Sequence, residues 1–220
     1  MKPISTPTRT WIESNQQWLK VLASPHPGWN AVIVVPILAL LVRHALISFS
    51  GAGLVAGTEF VFLRIAISFF AGILAWTFFE YAVHRWVYHG KIRGQKLRAF
   101  VESFHIYHHR EMEDPRVITA GPLMILPLSA GILIPSWFLL GADFGVFGAG
   151  FVCAYYFYEW VHFLIHRSTT KNPYIRYIRK YHLHHHDHRW DKCFGNTSSL
   201  WDHLLGTYDR PTDGRRSEVK

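Results

Sequence analysis

Residues 144–166 read FGVFGAGFVCAYYFYEWVHFLIH: an apolar span from Phe144 to Ile165 with Glu159 as its only charge, and His162 and His166 where it ends. A helix rises about 1.5 Å per residue, so roughly 20 apolar residues cross the hydrocarbon of a bilayer. Three further stretches meet that length: Trp29 to Phe49, Phe60 to Val83 and Val117 to Leu140. The first carries Arg43 and His44 well inside it, so Arg43 must snorkel or pair within the bundle. Pro122, Pro127 and Pro135 are expected to kink the third. The expected fold is all-α, a four-helix transmembrane bundle. Composition agrees: the chain is 50% hydrophobic and 17% charged, against roughly 25% charged in soluble domains.

Charge sets the orientation. Lys2, Arg9 and Lys20 precede the first span, and Arg85, Lys91, Arg93, Lys96, Arg98, Arg110 and Arg116 crowd the segment between the second and third. The tail is again basic, while the loop from Ser50 to Glu59 and the turn from Gly141 to Asp143 contain no Lys or Arg. The positive-inside rule then puts both termini and the middle segment in the cytoplasm. The net charge of +8 reads as that basic face rather than as a nucleic-acid surface. Residues 1–28 form an N-terminal segment. A capping box at Thr10–Glu13 opens a helix there with Trp11, Ile12, Trp18, Leu19 and Leu22 on one side, lying on the membrane surface or packed on the rest of the protein. No signal peptide is read there. Residues 29–210 form the membrane-embedded domain, and residues 211–220 a disordered tail. Cys153 and Cys193 are too far apart to suggest a disulfide framework or a zinc motif.

Fifteen histidines are present, and the strong groups fall on the cytoplasmic side deduced from Lys and Arg alone. His84 and His89 form HxxxxH, and His162 and His166 form HxxxH, each at the end of a span. His105, His108 and His109, and again His182, His185 and His186, form HxxHH. At about 100° per residue, positions i, i+3 and i+4 share a helical face, so each HxxHH is expected to turn three imidazoles toward one place. His84 and His89 would lie about 140° apart on a regular helix, so either they serve different metals or the helix ends between them. Neutral imidazole suits iron, zinc, copper and nickel. Ten histidines exceed one ion's needs and fit two. His26, His44, His184, His188 and His203 are left as bystanders, with His184 expected to point away from the cluster. Glu80, Glu159 and Asp202 are each either acceptors for imidazole N–H groups or plain helix-end charges.

At these residues the sequence resembles the fatty acid hydroxylase and sterol desaturase superfamily. The resemblance spans roughly Phe79 to Tyr208. It rests on Glu80-Tyr-Ala-Val-His84-Arg-Trp-Val-Tyr-His89, His105-Ile-Tyr-His-His109, Glu159-Trp-Val-His162-Phe-Leu-Ile-His166, Lys180-Tyr-His182-Leu-His-His-His186 and the closing Phe194-to-Tyr208 segment. HxxxxH in first place makes it most similar to the fatty acid 2-hydroxylases. The resemblance implies four transmembrane helices, a cytosolic di-metal cap bound by the ten histidines, and O2-dependent hydroxylation of an acyl chain, often in a sphingolipid. Two iron ions are the expected cofactor, with zinc able to replace them on isolation.

Members of that group often carry a b-type cytochrome domain. Residues 1–28 are too few for one and no nucleotide-binding fingerprint is read, so electrons are expected from a separate donor: a b-type cytochrome, or a ferredoxin with its reductase. The expected membrane is the endoplasmic reticulum if the chain is eukaryotic and the inner membrane if it is bacterial. Within the enzyme class the alternatives are a sterol desaturase or methyl oxidase, or a carotenoid hydroxylase. Outside it the rival is a metal transporter, which would keep its ligands near the bilayer midplane rather than at helix ends.

Overall fold

A computed structural model describes residues 23–50, 57–112, 114–115 and 117–211. The expected N-terminal amphipathic helix and nearly all of the expected tail lie outside these residues. The described chain is all-α, with one isolated antiparallel bridge between Ser24 and Thr119. Four long helices are α1 (Pro27–Phe49), α2 (Thr58–Ala82), α5 (Pro122–Leu140) and α6 (Phe144–Arg167). Shorter ones build the cap: α3 (Gln95–Val101), α4 (Tyr107–Arg110), α7 (Pro173–Asp187) and α8 (Leu200–Leu204). Among the described residues, three helical segments are long and apolar enough to cross a membrane: Pro27–Phe49, Thr58–Tyr88 and Pro122–Arg167. The last contains both α5 and α6, broken by a 3-10 turn at Gly141–Asp143. Gly141 has φ +51° there, a conformation glycine adopts without steric cost.

The third span begins later than its apolar run. Pro122 opens α5 rather than kinking it, because a proline at the first helical position lacks only an N–H that would have no helical partner. Residues just before it run beside Ser24, whose N–H donates to the Thr119 carbonyl at 3.4 Å.

Contacts along the long helices fix their directions. Arg64, near the start of α2, pairs with Asp143, just before α6, at 2.8 Å. Further along, Trp76 packs on Phe151 and Tyr155. Helices α2 and α6 therefore run parallel and deliver their histidine-bearing ends to the same side. Asn30 at the start of α1 donates to Glu159 near the end of α6, 3.2 Å away. The Tyr155 hydroxyl likewise donates to the Ala120 carbonyl before α5. Helices α1 and α5 thus run the other way. Their outward faces expose Trp29, Val32, Leu46, Phe138 and Leu139, a surface suited to lipid rather than water. This is an integral membrane protein.

Glycine lets α2 and α6 touch backbone to backbone. A Cβ on Gly72 would lie 2.0 Å from the Phe147 carbonyl oxygen, and one on Gly150 would lie 2.1 Å from that of Phe69. Close approach through small residues drives helix association where lipid removes the hydrophobic incentive. Gly150→Leu should separate the helices and cost roughly 1–3 kcal/mol, seen as a lowered melting temperature in detergent micelles. An unchanged melting temperature would refute this contact.

Candidate metal centre

Each histidine reaches the cap by a local feature of its element. After Ala82, α2 widens into a π-helix over Val83–Tyr88, closed by the His89 N–H donating to the His84 carbonyl at 3.1 Å. A turn with i→i+5 bonds stacks i over i+5. His84 and His89 therefore stand side by side, ring centroids 5.1 Å apart, rather than the 140° apart expected of a regular helix. They belong to one group, which neither sequence alternative anticipated. A second π segment, Glu102–Ile106, carries His105 into the helical turn of His108 and His109.

The ten histidines gather as two adjoining sets. His84, His89, His105, His109 and His185 present nitrogens within 4.8 Å of one another, and so do His108, His162, His166 and His182. His186 lies against the second set, its Nε2 2.9 Å from that of His182, and its ring stacks on His109 at 4.0 Å. Each HxxHH is thus divided, whereas the sequence reading turned all three imidazoles to one place. Positions i+3 and i+4 differ by about 100°, enough to send His108 to one set while His105 and His109 join the other.

Backbone carbonyls orient these rings. His84 Nδ1 donates to the Phe194 carbonyl at 2.6 Å, and His185 Nδ1 to that of Lys192 at 2.6 Å. A carbonyl only accepts, so Nδ1 carries the proton and Nε2 keeps a bare lone pair in the neutral ring. Burial holds His105, His108, His109, His182 and His186 well below the ordinary histidine range, and the neighbouring imidazoles push the same way. Burial also pushes His89 down to about 3 and His185 to about 4. Neutral, buried rings with converging nitrogens are what a metal requires. Among the described residues, His84 Nε2 and both ring nitrogens of His108 have no hydrogen-bond partner. Unpaired buried nitrogens are costly, and coordination would satisfy them. The donor set fits metal ions.

The three carboxylates do other work than accepting from imidazoles. Glu80 accepts from the N–H groups of Asn196 and Thr197, at 2.5 and 2.9 Å, and from the Thr197 hydroxyl. Asp202 accepts from Phe194 N–H at 2.9 Å, Gly195 N–H at 2.8 Å and the Thr207 hydroxyl at 2.7 Å. Both pin the loop whose Phe194 carbonyl holds His84. Glu159 binds Asn30 of α1. Among the described residues none of these carboxylates hydrogen-bonds a ligand-candidate ring; Glu80 and Asp202 act on one through the backbone.

The remaining histidines stay outside both sets. His26 caps α1, accepting from Gly28 N–H at 3.0 Å. His44 packs on Trp137, and Arg43 is exposed. His203 stacks on Tyr208. His184 points away from both sets, as expected, and is buried: its Nε2 donates to Asp209 at 3.0 Å, and its ring stacks on His188. Sequence reasoning missed the Phe194 and Lys192 carbonyls, for which no side-chain signal exists. It also missed Trp190, which donates to the His186 carbonyl at 2.7 Å and packs on His109.

Beneath the rings lies a cavity of about 30 Å³, room for roughly two water-sized groups. His84, His105, His108, His162 and His182 form its histidine side, and Trp76, Phe79, Phe104, Ile118 and Ile125 are among its apolar walls. Histidines therefore adjoin a space walled largely by apolar side chains.

The sequence profile of the fatty acid hydroxylases matches residues 69–207. A dihydroceramide fatty acyl 2-hydroxylase of Arabidopsis thaliana is 31% identical over 158 residues, covering 69% of this chain and 63% of the relative. A ceramide very long chain fatty acid hydroxylase of Saccharomyces cerevisiae is 32% identical over 162 residues, covering 69% of this chain and 40% of the relative. The chain thus spans under two thirds of either relative's length. Among solved structures it is similar to full-length scs7p, of which only the hydroxylase domain is visible. That match has a TM-score of 0.70 and 27% identity, covering 90% of this chain and 71% of the other.

Proposed function

The chain belongs to the fatty acid hydroxylase family, and on that premise we propose that it is an O2-dependent lipid hydroxylase placing a hydroxyl on carbon 2 of an acyl chain in a fatty acid or sphingolipid. The observation that carries this reading is the pair of histidine sets bordering one apolar cavity at the ends of α2 and α6. The relatives whose names give a position are 2-hydroxylases of fatty acyl chains, which supports the choice of carbon. His84, His89, His105, His109 and His185 would hold one metal ion, and His108, His162, His166, His182 and His186 the other. Two iron ions bound there would supply the O2 activation and C–H cleavage that side-chain acids and bases cannot.

The chain's own residues bind, orient and keep dry. The Phe194 and Lys192 carbonyls hold His84 and His185 with the proton on Nδ1 and Nε2 unprotonated. Trp76, Phe79 and Ile125 give the acyl chain an apolar wall and exclude water. In the overall balance one oxygen atom enters the C–H bond and the other leaves as water, with two protons and two electrons. The electrons would come from a separate b-type cytochrome, or from a ferredoxin with its reductase. Residues 29–210 form the hydroxylase domain in this reading, with the metals and both termini cytoplasmic. The membrane would be the endoplasmic reticulum in a eukaryote and the inner membrane in a bacterium. A polar head group held at that interface favours carbons close to it.

Lipid mass spectrometry tests the activity. Cells expressing the chain should accumulate 2-hydroxyacyl lipids absent from controls; new double bonds instead would overturn the assignment. Elemental analysis of protein purified anaerobically with iron should find about two metal ions per chain, and one or none would refute the ten-histidine cage. For topology, a reporter at Gln95 should read cytoplasmic and one at Ala142 the opposite. The same side for both would contradict the orientation.

A further inference from the structure

The histidine sets have two sides. His84, His105, His108, His162 and His182 border the apolar cavity, while His89, His109 and His186 do not. Against those three lies Trp190. Its ring centroid is 4.6 Å from that of His109 and 6.2 Å from that of His89, both of the first set. Its indole N–H donates to the carbonyl of His186, beside the second set, at 2.7 Å. One side chain thus reaches both sets from the face away from the cavity, and it is partly exposed. His166 is also partly exposed, but among the described residues only histidine rings pack on it.

Cations surround this face. Lys91 and Arg93 follow His89 by two and four residues, and Arg110 directly follows His109. All three are exposed, and none has an ion-pair partner among the described residues. Arg189, by contrast, is already paired with Asp191 and Asp209. Glu111, next to Arg110, is an exposed carboxylate there, outnumbered by the cations. Such a patch attracts and steers an anionic protein surface. Electron tunnelling falls steeply with distance, so a protein that delivers electrons must come up against the ligands. The cavity side is closed to it by the membrane helices.

We infer that Trp190, ringed by Lys91, Arg93 and Arg110, is the electron-entry surface, and that its partner is a one-electron carrier protein with carboxylates around its haem or iron–sulfur group. The carrier docks over Trp190. One electron passes through the indole and the His109 and His89 rings, leaving the carrier oxidised and the bound metals reduced by one electron. Two such encounters supply the two electrons of one hydroxylation, and neither makes or breaks a bond. Lipid and electrons then reach the histidines from opposite sides. The inference rests on the hydroxylase reading and deepens it, naming where its electron donor binds and by what chemistry.

Two carriers serve as probes, the soluble haem domain of a b-type cytochrome and an iron–sulfur ferredoxin. Each is titrated, oxidised, against the redox-inert zinc-loaded protein in micelles. Each is then mixed rapidly, reduced and without oxygen, with the oxidised iron-loaded protein, and dithionite is the small-reductant control. At least one carrier should bind and transfer, less well as salt rises, because exposed charges are screened; the one that does identifies the donor. Lys91→Glu with Arg110→Glu should weaken binding and second-order transfer about tenfold at low salt and approach wild type at high salt. Dithionite reduction should not change. Trp190→Leu should slow transfer at saturating carrier several-fold, again without slowing dithionite. If that variant loses metal, Trp190→Phe, which keeps a ring on His109, carries the same comparison. Neither carrier reducing the wild type, charge reversal without effect on binding, or Trp190 variants that leave carrier transfer unchanged or slow dithionite equally would overturn the assignment. A wild type that takes electrons at this face yet forms no 2-hydroxy lipid would leave the assignment standing and overturn the hydroxylase reading instead.

Discussion

Alanine at His182 should empty one metal position and abolish acyl hydroxylation. His182 Nε2 lies 3.2 Å from that of His162, 3.1 Å from His166 and 2.9 Å from His186, so it stands where the second set converges. Removing a group that merely orients a ligand costs about 10–100-fold in affinity or activity, and loss of a ligand should exceed that. His184→Ala, two residues away, should behave differently. It breaks the bond to Asp209 at a cost of roughly 1–3 kcal/mol in stability, yet leaves both sets intact. The folded fraction should keep two metals and near-normal turnover per molecule. Metal analysis and turnover, both normalised to folded protein, check the pair. A dead His184→Ala beside an active His182→Ala would show that the ligands have been misassigned along α7.

The second large effect is expected at a residue whose side chain hydrogen-bonds no histidine ring. Asp202 is fully buried and accepts from two backbone N–H groups and one hydroxyl. Asp202→Ala leaves those donors unpaired, a loss on the order of 3–5 kcal/mol. The damage should be lopsided. The loop that Asp202 pins bears on His84 through the Phe194 carbonyl, and the Phe194 ring packs on His84, His89 and His185. All three belong to the first set. Metal content should therefore fall from about two ions toward one, with hydroxylation reduced about 10–100-fold or more. Asp202→Asn keeps one accepting oxygen and should fall between. Equal loss from both positions, or from neither, would contradict this route from Asp202 to His84.

These two sites mark how far the sequence could be read. The apolar runs and the ten histidines were legible because both signals are properties of side chains: a bilayer's thickness sets the length of one, and imidazole's lone pair sets the chemistry of the other. The partition of each HxxHH was less so. Spacing places His105, His108 and His109 on one broad face, but only the neighbouring elements decide which ring turns to which set. The π segments around His84 and His105 have no residue signature and appear only in backbone geometry. In sequence, Asp202 and Glu80 read either as partners of imidazoles or as helix-end charges. Their actual partners are peptide N–H groups, which every residue but proline carries. The burial of His184 against Asp209 depends on residues that are distant in sequence and meet only in the fold.

The central claim is that histidines in two adjoining sets support oxygen insertion at carbon 2 of an acyl chain. It is tested most directly with the purified, iron-loaded protein, a chemical reductant and an N-acyl lipid under 18O2, reading the product by mass spectrometry. The account predicts one 18O atom per product molecule, on carbon 2, formed only by protein carrying about two irons per chain. A hydroxyl at another carbon, a hydroxyl carrying water's oxygen, or undiminished product from the His182→Ala protein would contradict it.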